Sequence, residues 1–519
     1  MQEGSPVSLS NLDYRLLLEK YDLKIRETEE KARSLKSRRN LVVPVCRLPT
    51  EILAGVFALC NALEPEEIHG LRNTARKQPT SIRLKHVCRH WRTVALNSPS
   101  VWCSPNFAFP VLAREMLQLS KCAHLSIDAH VSCTPNFRLD VLSEALKHIS
   151  RTRCLFIEAR KADIETTLSA VTEPAPFLRS MQLVCHPPAD AIALPENFLG
   201  GDAPRLCRLE LHRCQIPWNT PFLRNLTSLH IDWSGYRCRR PLTTAQFVDT
   251  FQKMSRLVVL ELRNCLPLYA NSFDTPECVV YFPHLRHLTL ASTELQCANI
   301  LELVSFPSTA IITLLCESST RDVQPFFSTL SNLFSSTLHG GRFIGSAEIL
   351  FRSQSIGLKT WSTTNPGNSK PSLLPCLDLQ FDWRGAYEAV MAAALGSLPF
   401  ADVRTIRVCS NKHDLPAQVI VDHFGSLCQL EKITITNCVI GFIEAIGRTA
   451  PNDPSVSQHS ILTPAFPALH TLELKEISLY SPPPDTRRYI NGLCCPRVAS
   501  EECSWRAETC IPSMLVSFP

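Results

Sequence analysis

Apolar residues recur in three different rhythms along the chain. From Tyr14 to Leu35 they fall in alternating steps of four and three (Tyr14, Leu18, Tyr21, Ile25, Thr28, Ala32, Leu35), with charged residues filling most gaps from Glu19 to Arg39. This heptad seam predicts a helix within residues 1–43. Because Thr28 and Ala32 contribute little core, the seam suits a transient two-helix contact or a lone solvated helix as well as a weak coiled coil. Lys36, Arg38 and Arg39 at its end read either as dipole-compatible solvation or as a nuclear import patch.

The second rhythm covers Leu48 to Trp102. Pro49 stands where a helix opens, a place where its missing N–H costs nothing, and Ile52, Leu53, Val56, Phe57 and Cys60 follow at helical spacing. Leu84, Val87, Trp91, Val94 and Ala95 form another stripe, with Lys85, Arg89, His90 and Arg92 mostly off it, which predicts a second amphipathic helix. About 55 residues cannot cover both apolar faces, so a partner is implied.

The third rhythm is a repeat. From Cys122 onward the template L-x-x-L-x-L fits at Leu206, Leu209, Leu211; at Leu257, Leu260, Leu262; at Leu285, Leu288, Leu290; and at Leu469, Leu472, Leu474. Close relatives start at Leu178, Leu226, Val403 and Leu430, and weaker ones at Cys122, Thr152, Ile311 and Leu374. The period is about 28 residues. Cys214, Cys265, Cys438 and Asn411 stand three residues past the last apolar position, where the template places a side chain that serves the turn leaving the strand. Pro204, Pro283 and Pro467 precede their first leucine by two residues, at strand mouths where an absent N–H is tolerated. Each repeat predicts a short parallel strand and a return segment, helical at Thr243–Met254 and Tyr387–Leu395. Since one repeat cannot bury its own apolar side, the repeats should stack as one array over residues 104–480. The stretch from Glu317 to Lys370 breaks the pattern and reads as a degenerate repeat or a loop. Beyond Pro482-Pro483-Pro484, residues 481–519 form an unassigned tail containing Cys494, Cys495, Cys503 and Cys510.

Composition narrows the function classes. The 519 residues are 45% hydrophobic, and 53 basic against 48 acidic side chains leave a net charge of +5, too small to argue for a nucleic-acid partner. The absence of a signal-like start and of a long apolar run predicts a soluble intracellular protein, cytoplasmic and/or nuclear, with no membrane partner. The 23 cysteines, scattered singly at strand-like positions, read as thiols. There is no glycine-rich phosphate loop, G-x-S-x-G elbow or H-E-x-x-H, so no catalytic residue and no cofactor is predicted. His86, Cys88 and His90 make an incomplete metal set, and the tail cysteines lack C-x-x-C spacing, so no metal is predicted either.

The segment from Leu48 to Trp102, with its Leu-Pro opening and Val87-Cys88-Arg89-His90-Trp91 close, resembles an F-box, giving a module at 44–103. The whole chain is similar to F-box proteins with leucine-rich-repeat-like regions, a type expanded in mushroom-forming fungi. The implied fold is α/β: an N-terminal helix, a small helical F-box, and a leucine-rich-repeat-like solenoid with parallel strands. The resemblance implies a non-enzymatic substrate receptor of a cullin-RING ubiquitin ligase, docking a Skp-type adaptor through Leu48, Pro49, Ile52, Leu53, Val56, Phe57, Val87 and Trp91. Pro49 to Trp91 is about ten residues longer than usual for that family, with Glu64–Glu67 and Arg72–Lys77 in the extra material; such an insertion is tolerated if it loops outward. In such a stack the strand residues between the buried leucines face the ligand: Arg208, Glu210, Glu261, Arg263, Arg286, His287, Arg404, Thr405, Arg407 and Lys432, with flanking Arg213. The arginines there favour an acidic or phosphorylated protein segment. A repeat scaffold unconnected with ubiquitination is the alternative reading.

Overall fold

The structure, a computed structural model, describes residues 11–62, 80–131, 137–186, 192–234, 242–267, 279–317, 323–335, 344–351, 355–362, 374–382, 387–410, 417–425, 427–436, 445, 466–477 and 511–517. These residues form a mixed α/β protein with twelve α-helices and a large, mostly parallel sheet. The chain divides into two compact units: Met1–Met181 with Asn197–Pro204, and Gln182–Glu196 with Arg205–Pro519. No helix among the described residues is long and apolar enough to cross a membrane.

The first unit begins with α1 (Asn11–Val42), the helix predicted by the heptad seam. Tyr14, Leu18, Tyr21, Ile25 and Leu35 are all more than half exposed, so the seam meets no apolar partner within this unit. Then come α2 (Thr50–Ala62), α3 (Thr80–Lys85), α4 (Arg89–Asn97), a 3-10 turn at Pro99–Trp102, and α5 (Pro110–Leu119). Leu53, Phe57, Leu84, Val94, Ala95, Val101, Trp102, Leu112 and Met116 pack into one core among them. Trp102 Nε1 donates to the Ala95 carbonyl at 2.7 Å and Asn61 Nδ2 to the Val101 carbonyl at 2.8 Å, which satisfies polar atoms this core would otherwise strand.

The stripe expected to run as one helix through Leu84 and Ala95 is broken. Cys88 is extended (φ −159°, ψ 169°) and its Sγ accepts from Trp91 N at 3.4 Å, so α4 starts afresh with a thiol cap and Val87 is left in the turn. The unit continues with β1 (Leu125–His130), α6 (Leu139–Leu146), β2 (Thr152–Ala159) and α7 (Lys161–Leu168). β1 and β2 pair in parallel, with α6 in the connection, as parallel pairing requires a long crossover.

The second unit opens with most of β3 (Ser180–Cys185) and carries β4 (Arg208–His212), β5 (Ser228–Asp232), α8 (Thr244–Gln252), β6 (Val259–Arg263), β7 (His287–Thr293), α9 (Glu294–Leu303) and β8 (Ile311–Glu317). It continues with α10 (Gln324–Ser335), β9 (Ser346–Phe351), β10 (Ser355–Trp361), β11 (Leu377–Asp382), α11 (Tyr387–Ser397) and β12 (Thr405–Ser410). The last elements are α12 (Ala417–Phe424), β13 (Lys432–Thr436), β14 (Thr471–Ile477) and β15 (Ile511–Ser517). Every apolar triplet found in the sequence lies at the start of one of these strands or of β1 and β2, and Leu209, Leu211, Leu229, Ile231, Leu260, Leu290, Ile433 and Ile435 are fully buried. α8 begins with a complete capping box between Thr243 and Gln246, close to the predicted start. Phe326 and Phe327 of α10 pack against Phe381 of β11, showing how the helices cover the apolar side of the sheet.

The repeat turn also behaves as its residues suggest. Arg213 and Asn264, each one residue past a strand, take left-handed φ of 57° and 54°, and their N–H groups donate to Asp232 O and Ala291 O on the next strand. Cys214 and Cys265 follow them, are buried, and donate to the carbonyls of His212 and Ile231 at 3.4 and 3.8 Å. Burial pushes the Cys214 thiol up, keeping it protonated. Cys438, Asn411, Glu64–Glu67, Arg72–Lys77, Pro482–Pro484 and the tail cysteines lie outside the described residues.

Neighbouring triplet strands pair in parallel from β4 through β8 to β11 and from β12 to β14, as expected, but the sheet also holds antiparallel strands outside the triplets. The order in the second unit is β3-β4-β5-β6-β7-β8-β11-β10-β9-β12-β13-β14-β15, with β10 antiparallel to both β9 and β11, and β15 antiparallel to β14. The patternless stretch after Glu317 thus holds α10 and a hairpin rather than a degenerate repeat or a plain loop. Only residues 352–354 join β9 to β10, and so short a connection permits antiparallel pairing alone. Gly357 sits opposite Leu350 in that hairpin, where a Cβ would come within 3.1 Å of the leucine side chain.

Candidate interaction surfaces

The α2 region of the first unit separates its apolar residues into two sets. Leu53 and Phe57 are fully buried, with the Phe57 ring centroid 4.9 Å from that of Trp91. Leu48, Ile52 and Val56 are 36%, 55% and 38% exposed, and Pro49 is exposed beside them. Leu59, 62% exposed, extends the same row in steps of four, four and three, and helical spacing would have picked it out. Val87 is exposed in its turn and Trp91 is half-buried against the core. Of the eight residues expected to meet a partner, Leu53 and Phe57 cannot, because they already fill the module's own interior. Leu48, Pro49, Ile52, Val56 and Val87 remain available. Nearby, Arg89 reaches Glu30 of α1 at 3.0 Å, and this guanidinium, with Arg33, holds the Glu30 carboxyl below the usual range.

On β1, the edge-lying His130 is gripped by two carboxylates. Its Nε2 is 3.1 Å from Asp128 and its Nδ1 meets Glu158. Burial works against the charged ring, but the two carboxylates prevail and raise its pKa.

In the second unit, strand register aligns the positions between the buried residues into rows. One row runs Glu210, His230, Glu261, Thr289, Thr313, Asp378, Lys359, Glu348, Arg407, Thr434, Glu473 across successive strands. Arg208 is exposed, and Glu210, Glu261, Arg263, His287, Thr405, Arg407 and Lys432 are partly so, as alternation requires, while Arg286 and Arg404 are exposed just ahead of their strands and Arg213 is half-buried just past its own. Most of the expected cationic character is offset by pairing. Arg208 pairs with Glu210, Arg263 with Glu261, Arg404 with Glu431, Arg407 with Glu348, and Lys432 with Glu473. Arg213 donates to the carbonyls of Ser234 and Cys185, a structural use of its guanidinium. Partial burial disfavours the Glu473 carboxylate, but Lys432 and Lys475, each 2.9 Å away, outweigh this and bring it down to about 2. Alternation picked solvent-facing strand residues but left the pairing unweighed: Glu210 and Glu261 stand two residues from Arg208 and Arg263 on the same strand, whereas Glu431, Glu348 and Glu473 lie about one or two repeats from their cations.

The same rows bring together side chains the sequence reading passed over. His212 of β4 stands opposite Asp232 of β5, with His212 Nδ1 3.9 Å from Asp232 Oδ2, and the His212 and His230 ring centroids are 4.8 Å apart. His230 Nδ1 lies 2.8 Å from Glu261 Oε2 on β6. Burial, followed by repulsion from His230, lowers the His212 pKa. Beyond the ends of strands β6 to β8 and β11, a cleft is lined by Arg263, Asn264, Ser292, Glu317, Gln380 and Asp382.

No protein-family model matches this chain, and no curated protein matches it.

Proposed function

We propose that the chain is a substrate receptor of a cullin-RING ubiquitin ligase, in which the helical module of the first unit is an F-box docking a Skp-type adaptor. On this reading the second unit is a leucine-rich-repeat-like solenoid that holds a protein substrate, and no catalytic residue is needed, since tethering raises the substrate's effective concentration near the transferring enzyme. The observation that carries the proposal is the exposed apolar row of Leu48, just ahead of α2, with Ile52, Val56 and Leu59 on that helix, whose opposite side is locked into a packed core. A small module with a finished core and a leftover apolar row has the form of a docking element. On this reading the substrate side is a charge-alternating surface on which most of the named cations, Arg286 apart, already have partners, which favours a protein segment of mixed charge over a densely phosphorylated one.

The test is co-purification with a Skp-type adaptor. Each of Ile52 and Val56 contributes roughly 2 kcal/mol when buried, so Ile52→Asp with Val56→Asp is expected to weaken the complex by about a thousandfold. Its unfolding transition should stay where it is, because both side chains are outside the core. An undiminished complex in this variant, or no complex with the unaltered chain, would leave a repeat scaffold as the better account.

A further inference from the structure

We propose that His212, His230 and Asp232 form a binding site for a divalent transition-metal ion of the zinc class, with Glu261 as the positioning residue that orients His230. One potential ligand atom from each of the three residues lies within 4.8 Å of the other two. Two ligands of one zinc ion in tetrahedral geometry stand about 3.4 Å apart. The 3.9 Å between His212 Nδ1 and Asp232 Oδ2 is too long for a hydrogen bond and close to that spacing.

The decisive detail is on His230. Its Nδ1 is engaged by the Glu261 carboxylate at 2.8 Å, which fixes the proton on Nδ1 and leaves the lone pair on Nε2. That Nε2 is buried and has no hydrogen-bond partner among the described residues. A buried acceptor without a donor costs stability unless something fills it. A carboxylate holding one imidazole nitrogen while the other points at a Lewis acid is the arrangement that orients metal-binding histidines. The set of two imidazoles and one carboxylate suits zinc, nickel, copper or cobalt rather than calcium or magnesium, which prefer oxygen.

The platform is rigid. His212 and Asp232 face each other in register on parallel strands, and His230 is two residues from Asp232 on the same side of β5. Glu210, in register with His230, is turned away to Arg208 at 2.7 Å, so the acidic members of the patch are divided between ligand and non-ligand roles. Three protein ligands leave at least one coordination position for water or for a side chain from a bound protein. Since these residues share rows with the proposed substrate-facing side chains, an ion here would place a positive centre among carboxylates on that face. The proposal does not depend on the ubiquitin-ligase reading.

The experiment uses the full chain, stripped with chelator and titrated with Zn²⁺ and Co²⁺. The chain's 23 cysteines are competing ligands, and the cobalt spectrum separates them from histidine and carboxylate. The expected result is one equivalent bound without a sulfur-to-cobalt charge-transfer band, weakened at least tenfold by His212→Gln or His230→Gln. Glu261→Gln, which leaves all three ligands in place, should weaken binding by about ten- to a hundredfold. A sulfur charge-transfer band from the first equivalent, no binding by the unaltered chain, or unchanged affinity in His212→Gln with His230→Gln would each overturn the site. The unaltered chain's spectrum and stoichiometry decide the matter even if a variant fails to fold.

Discussion

The solvent side of α2 and the solvent side of strands β4 to β14 hold opposite kinds of residue. Just before and along α2, Leu48, Ile52, Val56 and Leu59 leave apolar surface that no described residue covers. On the strands, Glu210, Glu261, Glu348, Asp378 and Glu473 each have a cation from the same face within ion-pair distance. The difference teaches what exposure alone does not. Unmatched apolar surface carries a free-energy cost that a partner removes, about 25 cal/mol for each Å² covered, whereas a face whose charges are matched is already satisfied in water. Affinity is therefore expected to come from the first surface and selectivity from the second.

The largest effect should come from confusing the two sides of α2. Leu53→Ala with Phe57→Ala removes core rather than surface, and at about 2–5 kcal/mol per substitution the module should unfold or melt far earlier in a thermal scan. If this double variant kept its melting temperature and lost only adaptor binding, the two sides would be assigned the wrong way round.

Intermediate effects divide by pH. For Glu473, whose folded pKa is depressed to about 2, the ion pairs stabilise the sheet fully above the unfolded carboxyl's pKa, and the contribution is lost as pH falls from there through the folded value. Glu473→Gln should cost about 1 kcal/mol at neutral pH, allowing for screening of the two half-exposed lysines, and nothing at the acid end of a urea-denaturation series. His130 has the opposite sign. Its folded pKa is raised, so Asp128 and Glu158 stabilise the fold below the unfolded histidine's pKa, and the contribution fades as pH rises through the folded one. His130→Gln should be less stable than the unaltered chain at pH 5, with the gap narrowing as the solution becomes alkaline. A gap that widened with pH would mean the ring is held neutral.

The smallest effect concerns single arginines on the sheet. Arg286 is exposed and forms no ion pair among the described residues, so Arg286→Ala should change stability by less than about 0.5 kcal/mol. Arg263→Ala should cost somewhat more, roughly 0.5–1 kcal/mol, because it removes one of the two partners of Glu261 and leaves His230 alone with the carboxylate. Equal costs would show that the pairing contributes nothing.

Much of the fold is legible in the chain because burial imposes a period. Leu206, Leu209 and Leu211 announce a strand start for the same reason they are buried, and Thr243 with Gln246 announces a helix through the cap they form. What could not be read depends on contacts between distant residues. Val87 fits a helical stripe by spacing, but the Cys88 thiol caps a new helix behind it. Arg407 looks cationic until Glu348 is brought alongside from an earlier strand. On α2, spacing identifies Ile52, Leu53, Val56 and Phe57 but cannot tell Phe57, which α4 covers, from Val56, which no described residue covers fully.

The β9–β10 hairpin has a consequence for how the second unit acquires its structure in time. Parallel neighbours such as β8 and β11 meet only after the chain across 318–376 has been drawn into a closed loop, an entropic cost paid before any ladder bond forms. β9 and β10 meet across 352–354, and hairpins of this kind close in about 1–10 μs. Once formed, the hairpin offers β12 one edge and β11 the other, in register, so strands arriving from both directions along the chain find a template already assembled. Where the hairpin interrupts the run of parallel repeats, the pairing of the sheet is thus at its most local.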